Sequence, residues 1–393
     1  MAQTVAEPDD MFKPGLAAPA DEFALVCACL SPVGVPDPAG HDLDRVARIA
    51  RRHQVTGLVA ARLATAGHAV PPAMQRRALL SRQAGLSQLA AALALAQALE
   101  AARIEAAFLK GLALSQQAFG SPLLRYAADI DVLVRIDQVA SGWQVLDGLG
   151  YRRITPAADL SGPRLALYCR ASKDSIHHHP ETGITIELHW RLADEMDQPR
   201  LPPAARLAVI ELAPGQRLPV LSGEDQFRYL CIHGAAHGWA RLKWLADVAA
   251  LLHRAPDGGS ALWRDAAAQG CDIAAASAIL LAEELFTLPR PPGFVPPRAV
   301  RLKLLLAIAR RVIRAGGGML ELEATAWRGW TELLAKSLVA TSWRGRLAVL
   351  RRLALSGEDI AQVAMPPALY WAYPALRIPL LVRRRLARAR GRG

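Results

Sequence analysis

Two aspartates stand one residue apart in "YAADIDVLVR", inside an apolar run that reads as a β-strand. Asp is depleted in strands. Alternate residues of an extended chain share a face, which puts Asp129 and Asp131 roughly 6–7 Å apart at Cα and pointing the same way. In a second strand, "ITIELHWR", Ile184, Ile186, Leu188 and Trp190 fall on one face and Thr185, Glu187, His189 and Arg191 on the other. If the apolar face lies on the core, Glu187 becomes a third carboxylate, with His189 beside it. Three carboxylates on neighbouring strands need a counter-charge. Mg²⁺ supplies one, binding through one or two carboxylates plus substrate phosphates. Two such ions about 3.5–4 Å apart clamp an in-line phosphoryl displacement. The alternative is a pair of solvated aspartates on an edge strand.

A phosphate-binding element precedes the acids. Gly111 sits where "IEAAFLKG", a short strand, meets "LALSQQAFG", a helix, so free N–H groups and the helix dipole favour an anion there. Lys110 adjoins it, and Arg125 lies four residues before Asp129.

The elements around these residues read as mostly helical. "LDRVARIARRHQVTGLVAARLATAG" has the period of a helix pair, and the segment from Pro71 to Ile104 continues as one or two helices. "DQVASGWQVLDGLGY" reads as a helix capped by Asp137 and ended by Gly150. "SIHHHPETGITIELHW" is a hairpin turning at Pro180–Gly183, with His177, His178 and His179 on a wet strand. Ser222 opens a capping-box-like "SGED", after which helices return. The strands are thus confined to roughly 104–191, and the fold class is α+β, with a small mixed sheet flanked by helical regions. The expected divisions are a flexible start over 1–20, an N-terminal helical region over 21–83, a core over 84–200, a C-terminal helical region over 201–382 and a basic tail over 383–393.

The chain has 393 residues, enough to bury a sizeable core, and a formal net charge of +12. Residues 341–393 hold eleven arginines against two acids, a net +9, so the body is only mildly basic and carries no strong nucleic-acid signal. Five cysteines without metal-ligand or disulfide spacing suit reduced thiols, with Cys27 and Cys29 read as small core residues. No signal-peptide pattern opens the chain, and no uninterrupted apolar run reaches the ~20 residues of a membrane span. These features set the expectation of a cytoplasmic protein. In the tail, Tyr370, Trp371 and Tyr373 precede an apolar stretch and the arginines from Arg383 to Arg392, the pattern of a segment adsorbed weakly at an anionic membrane surface or on another polyanion. Peripheral attachment at the inner membrane would follow.

The series "FLKG", Arg125, "DIDVLV", "LGY", "IELHW" and "HGAAHGWARLKWLADVA" resembles the uncharacterised nucleotidyltransferase family of the polymerase-β-like superfamily, from about residue 42 through the tail. The resemblance implies a Gly-containing turn over an NTP triphosphate and an Asp-x-Asp pair holding two metal ions, Mg²⁺ or alternatively Mn²⁺. Gly111 matches the turn glycine, Asp129 and Asp131 the metal pair, and Glu187 the third acid. Lys110 and Arg125 join Gly111 as nucleotide contacts. Leu112 follows the glycine where the superfamily has Gly or Ser, so Ser115, one turn on, is the candidate hydroxyl contact. On the "HGAAHGWARLKWLADVA" helix, Arg241, Lys243 and Asp247 would face the nucleotide or the acceptor. His233 and His237 share a face there, but Gly234 stands where a zincin helix has Glu. Accessory roles fall to His189, His237 and Asp247. The implied reaction moves a nucleoside monophosphate from an NTP to an unidentified small molecule, saccharide, peptide or protein, releasing pyrophosphate. Two alternatives stand beside it: a non-catalytic relative that binds a nucleotide or polyanion, and a toxin-like tRNA nucleotidyltransferase.

Overall fold

The computed structural model describes residues 20–33, 37–192, 207–314, 326–340, 345–347, 349, 357–376 and 379. Helices α1 (Ala20–Leu30), α2 (Leu43–Arg52), α3 (Thr56–Thr65) and α4 (Pro72–Ala101) lead into β1 (Ala106–Phe108), α5 (Gly111–Phe119) and β2 (Ile130–Val134). Then come α6 (Val139–Gly148), β3 (Arg152–Thr155), α7 (Gly162–Ala171) and the strands β4 (Asp174–His178), β5 (Thr185–His189), β6 (Leu207–Ala213) and β7 (Gln216–Leu221). Helices α8 (Gly223–Ala236), α9 (Leu242–Arg254), α10 (Ser260–Ala268), α11 (Asp272–Phe286), α12 (Val300–Arg314), α13 (Ala326–Val339) and α14 (Gly357–Gln362) follow.

All seven strands form one mixed sheet in the order β3-β4-β5-β2-β1-β7-β6. The β2–β5 and β1–β7 pairs are parallel and the others antiparallel. Strand alternation divides the core in two. Ile130, Val132, Val134, Ile186 and Leu188 bury one sheet face against Ala92, Leu95 and Leu99 of α4. Ala107, Leu109 and Leu133 continue on the other face into a second cluster with Phe227 of α8 and Leu245 of α9. The α+β class is as expected. Helix α4 is a single 30-residue helix, and among the described residues it alone is long and apolar enough to cross a membrane by length and composition.

Several local expectations change. The sheet extends past residue 191, because β6 and β7 add a hairpin turning at Gly215, where φ is +74°. Pro219 hides β7, since proline inside a run argues against a strand. It is tolerated where β7 meets β1, a three-residue strand in register with it only at Phe108↔Val220. Strand β3 and helix α7 also escape the sequence reading. The Ile136–Gln138 turn is a short 3₁₀ segment, and Asp137 pairs with Arg135 at 3.0 Å instead of capping α6. Ser222 does cap α8, its Oγ accepting from the Asp225 N–H at 3.3 Å.

His177 is a correction. It is fully buried, in register with Ile186 on the core face, with Nε2 3.1 Å from Ser175 Oγ. Only a neutral imidazole suits that place, and burial, with Arg153 nearby, pushes its pKa down to about 4. The single helix read across "HGAAHGWARLKWLADVA" is likewise split between two helices, α8 and α9. The chain breaks at Gly238 and Trp239, both at positive φ, and the Trp239 ring folds back over Gly234. A Cβ on Gly234 would lie 2.2 Å from that ring, so no other residue fits. The Trp239 indole N–H donates to Ser277 Oγ at 2.9 Å and locks the break to α11.

In the C-terminal segment Tyr373 is buried and donates its hydroxyl to the Val363 carbonyl at 2.7 Å, while Trp371 is 76% exposed. The arginines from 383 to 392 lie outside the described residues.

His53, buried between α2 and α3, joins the N-terminal helices to the rest. Its Nδ1 accepts from the Leu242 N–H at 3.1 Å, at the start of α9. Burial, with Arg52 and Arg241 close by, lowers its pKa from 6.5 to about 3. Below pH 6.5 the unfolded chain binds a proton that the folded protein refuses, so stability is lost as pH falls from about 6.5 toward 3. The loss from His53 reaches about 2 kcal/mol at pH 5. Urea midpoints at pH 7 and pH 5 measure it, and His53→Gln should flatten the slope. An equal slope in the variant would remove His53 as its origin.

Candidate active site

The site is assembled by strand register. Because β2 and β5 run parallel with Asp131 opposite Glu187 and Leu133 opposite His189, all the polar residues of both strands face the same side. Asp129 precedes β2 on that face. Lys110 and Gly111 arrive from the end of β1, whose Leu109 N–H donates to the Asp131 carbonyl at 3.0 Å. Gln226 of α8 donates to the Leu109 carbonyl at 3.0 Å and fixes the turn. Gly111 has φ +59°, and a Cβ there would stand 3.5 Å from the Asp129 carbonyl oxygen. The turn glycine therefore lies directly over the Asp-x-Asp segment and opens α5.

Asp131 is the centre. Its Oδ1 receives Lys110 Nζ at 2.9 Å and His189 Nε2 at 3.1 Å, and His189 Nε2 is 3.4 Å from Glu187 Oε2. Burial opposes ionisation of Asp131, but Lys110 and the His189 hydrogen bond outweigh it and hold the carboxyl well below the usual carboxylate range. Burial and Lys173 disfavour a charged His189, yet its hydrogen bonds to Asp131 and Glu187 prevail and its pKa rises. Lys110 stays charged in the same way, burial being outweighed by Asp131 and by Tyr229, whose ring lies 5.5 Å below the ammonium. Asp129 has no such partner. Burial first, then the charges of Asp131 and Glu187, lift its pKa to about 6.

Sequence reasoning missed two members. Asp174 pairs in register with His189, its Oδ2 3.8 Å from His189 Nδ1, and forms an ion pair with Lys173. Tyr229 of α8 is 3% exposed beneath Lys110. Nothing in "SKDS" marked Asp174, because its place depends on the β4–β5 register.

A basic group flanks the acids. Burial, then the neighbouring Arg125, pushes Lys243 of α9 down to about 7, with Arg241 and Lys110 adding and Asp247 opposing. Its ammonium lies 5.7 Å over the Tyr126 ring, and it acts electrostatically on Asp129. Arg125 and Asp247 are both buried and pair with each other, Nε to Oδ1 at 2.8 Å. The Ser115 hydroxyl is also internal, donating to the Ser121 carbonyl and accepting the Arg125 N–H at 3.1 Å. These three tie together the loop that leads to Asp129. His237 pairs with a different acid, its Nδ1 3.2 Å from Glu332 Oε1, and its ring lies 5.2 Å from that of Trp244. Next to it, His233 is packed between Tyr229 and Trp244 and is kept neutral chiefly by burial, with Lys110 and His237 adding.

The donor set suits a divalent cation. Ligand atoms of Asp131, Glu187 and His189 all lie within 4.8 Å of one another. Asp129 is not one of that group; it lies close enough for the charges of Asp131 and Glu187 to act on it. Carboxylate-rich sites suit Mg²⁺ and Mn²⁺.

Among solved structures the chain is similar to the crystal structure of an antigenic nucleotidyltransferase-like protein from Paracoccidioides brasiliensis, with 16% identity and a TM-score of 0.31, over 52% of this chain and 93% of that one. Among curated proteins nothing matches. The match to a family model is broader. Residues 39–287, which include the whole sheet and every residue of the carboxylate cluster, match the uncharacterised nucleotidyltransferase family, so this chain belongs to that family and is a nucleotidyltransferase.

Proposed function

We propose that the enzyme transfers a nucleoside monophosphate from an NTP to a small-molecule acceptor, with Asp129, Asp131 and Glu187 holding two divalent ions. The carrying observation is the geometry of one sheet face: Asp131, Glu187 and His189 offer ligand atoms within 4.8 Å of one another, and the Gly111 turn packs against the Asp129 carbonyl beside them. Bound metal would neutralise the acids and polarise the α-phosphate. The chain's own residues do the rest. Gly111, at the start of α5, lets its backbone approach the triphosphate. Lys243 faces the same charge from α9 and, near pKa 7, becomes fully protonated as phosphates arrive. Lys110 and His189 keep Asp131 ionised and fixed. Glu187, whose side chain is 25% exposed, is the carboxylate open to the acceptor and takes its proton. The acceptor oxygen bonds to the α-phosphorus, the α–β bridging bond breaks, and the electron pair leaves with pyrophosphate.

Incubation with each α-labelled NTP, Mg²⁺ and an extract of small metabolites, followed by separation of labelled products, tests the reading. Failure to consume any NTP or to release pyrophosphate would reject it. Within this mechanism Glu187→Gln should lower turnover by about 10²-fold or more, as for loss of a proton acceptor, with nucleotide affinity within about threefold. Steady-state kinetics and a nucleotide-binding titration separate the two effects. Weakened binding at unchanged kcat would instead make Glu187 a nucleotide ligand.

A further inference from the structure

Helix α4 has apolar residues on every side, yet only 28% of its apolar 18-residue stretch is buried. A helix of that kind is normally covered all round. Met74, Ala78, Gly85, Ala92, Leu95 and Leu99 form its buried side. At about 100° per residue, Leu79, Leu86 and Ala90 form a strip on the opposite side. Leu79 and Leu86 are 56% and 54% exposed, and Leu80, further round, is 59% exposed.

Arginines flank the strip. Arg82 stands on one side of it and Arg76 on the other, with Arg77 beyond Leu80, and all three are exposed. Arg51 of α2 and Arg77 line one cavity of about 240 Å³ together with Leu80, so the cationic flank continues past α4. None of these four arginines has an ion-pair partner among the described residues. Between Asp44 and Glu100 the chain has eight arginines and no acid. A second copy packed on the same strip would bring two groups of arginines together with no carboxylate to answer them. A nucleic acid would answer the arginines and leave the leucines in water. An anionic lipid surface answers both, since its phosphates meet the guanidiniums and its acyl chains meet the leucines.

We propose that the N-terminal half of α4 lies on an anionic membrane surface, with Leu79 and Leu86 inserted at the acyl boundary and Arg51, Arg76, Arg77 and Arg82 on lipid phosphates. The long arginine stems let the guanidiniums stay at the headgroups while the leucines go deeper. Each basic residue near such a surface adds about fivefold in affinity, and salt screens the gain. The proposal stands apart from the nucleotidyl-transfer reading and does not depend on it.

Co-sedimentation of the full chain with vesicles tests it, using phosphatidylcholine alone and phosphatidylcholine mixed with phosphatidylglycerol, at low and high salt. The expected result is saturable binding to the anionic vesicles, at least tenfold tighter than to the neutral ones and weakened at least tenfold by high salt. Arg76→Gln, Arg77→Gln and Arg82→Gln together should weaken it by tenfold or more, and Leu79→Gln with Leu86→Gln by several-fold. All five side chains are exposed and glutamine is a good helix former, and circular dichroism verifies that the variants are folded. The arginines from 383 to 392 stay in every variant, so a loss of binding reports α4. No preference for anionic vesicles, or binding unaffected by either set of substitutions, would overturn the proposal. Sedimentation velocity without lipid adds a second readout, and a dimer that the leucine substitutions dissolve would overturn it in favour of a second copy. Tighter binding to a mixed-sequence RNA than to the anionic vesicles, unchanged by the leucine substitutions, would overturn it in favour of a nucleic acid.

Discussion

Asp131→Asn should reduce nucleotidyl transfer by on the order of 10²–10³-fold and also lower the melting temperature, whereas Asp129→Asn should reduce transfer without destabilising the fold. The two aspartates are neighbours in sequence but not in electrostatics. Asp131 is buried and compensated by Lys110 at 2.9 Å and His189 at 3.1 Å. Neutralising it leaves the Lys110 ammonium facing an amide, and breaking a buried pair in this way costs about 3–5 kcal/mol. Asp129 is the opposite case, because its pKa is raised to about 6. The folded protein therefore binds more protons than the unfolded chain between pH 3.8 and 6, and stability is lost as pH rises through that window. Asparagine removes that loss. At pH 7 without added metal, Asp129→Asn should melt at or above the wild-type temperature, and the difference should vanish below about pH 4. Thermal melts at pH 4 and 7, together with single-turnover pyrophosphate release, read both effects. Equal destabilisation by the two substitutions would contradict this charge assignment.

The second large effect is expected at the Arg125–Asp247 pair. Both side chains are almost inaccessible, at 3% and 0%, and they join the loop before β2 to α9. Asp247→Ala strands a guanidinium in the core and should cost about 3–5 kcal/mol in a denaturant titration. Replacing both partners together, Arg125→Met with Asp247→Leu, should recover a large part of that loss, since no unpaired charge remains. The double variant also separates packing from ligand contact. With Arg125 engaged by Asp247, nucleotide affinity should stay within about threefold while turnover falls, because Tyr126 and Asp129 lose their brace. A tenfold or greater loss of nucleotide affinity in the well-folded double variant would make Arg125 a phosphate ligand, the role that the sequence alone suggests for it.

Asp129, Asp131 and Glu187 were legible because period-two alternation is a local property, and a charge on the polar face of a strand is visible without knowing its neighbours. The strand-to-helix change at Gly111 was legible for the same reason. His177 was misread because β4 is offset against β5 so that Ser175 and His177, both polar, take the core face beside Leu188 and Ile186. Asp174 and Tyr229 left no local trace at all. Cys27 and Cys29, read as core residues, are indeed buried, and burial pushes their thiols up to about 12 and 11.

By itself the sequence determined the α+β class and the family, and it put Glu187 on the polar face of its strand, because each rests on the spacing of residues along one strand or turn. The tertiary structure decided which charge answers which. Only the β2–β5 register sets Glu187 opposite Asp131, only the return of β1 brings Lys110 onto Asp131, and only the packing of α9 pairs Asp247 with Arg125. Coulomb energy depends on distance and burial, which chain order does not encode. Residues as alike in sequence as Asp129 and Asp131 thus have pKa values shifted in opposite directions, and the arginines of α2 and α4 meet around one cavity although 25 residues separate them.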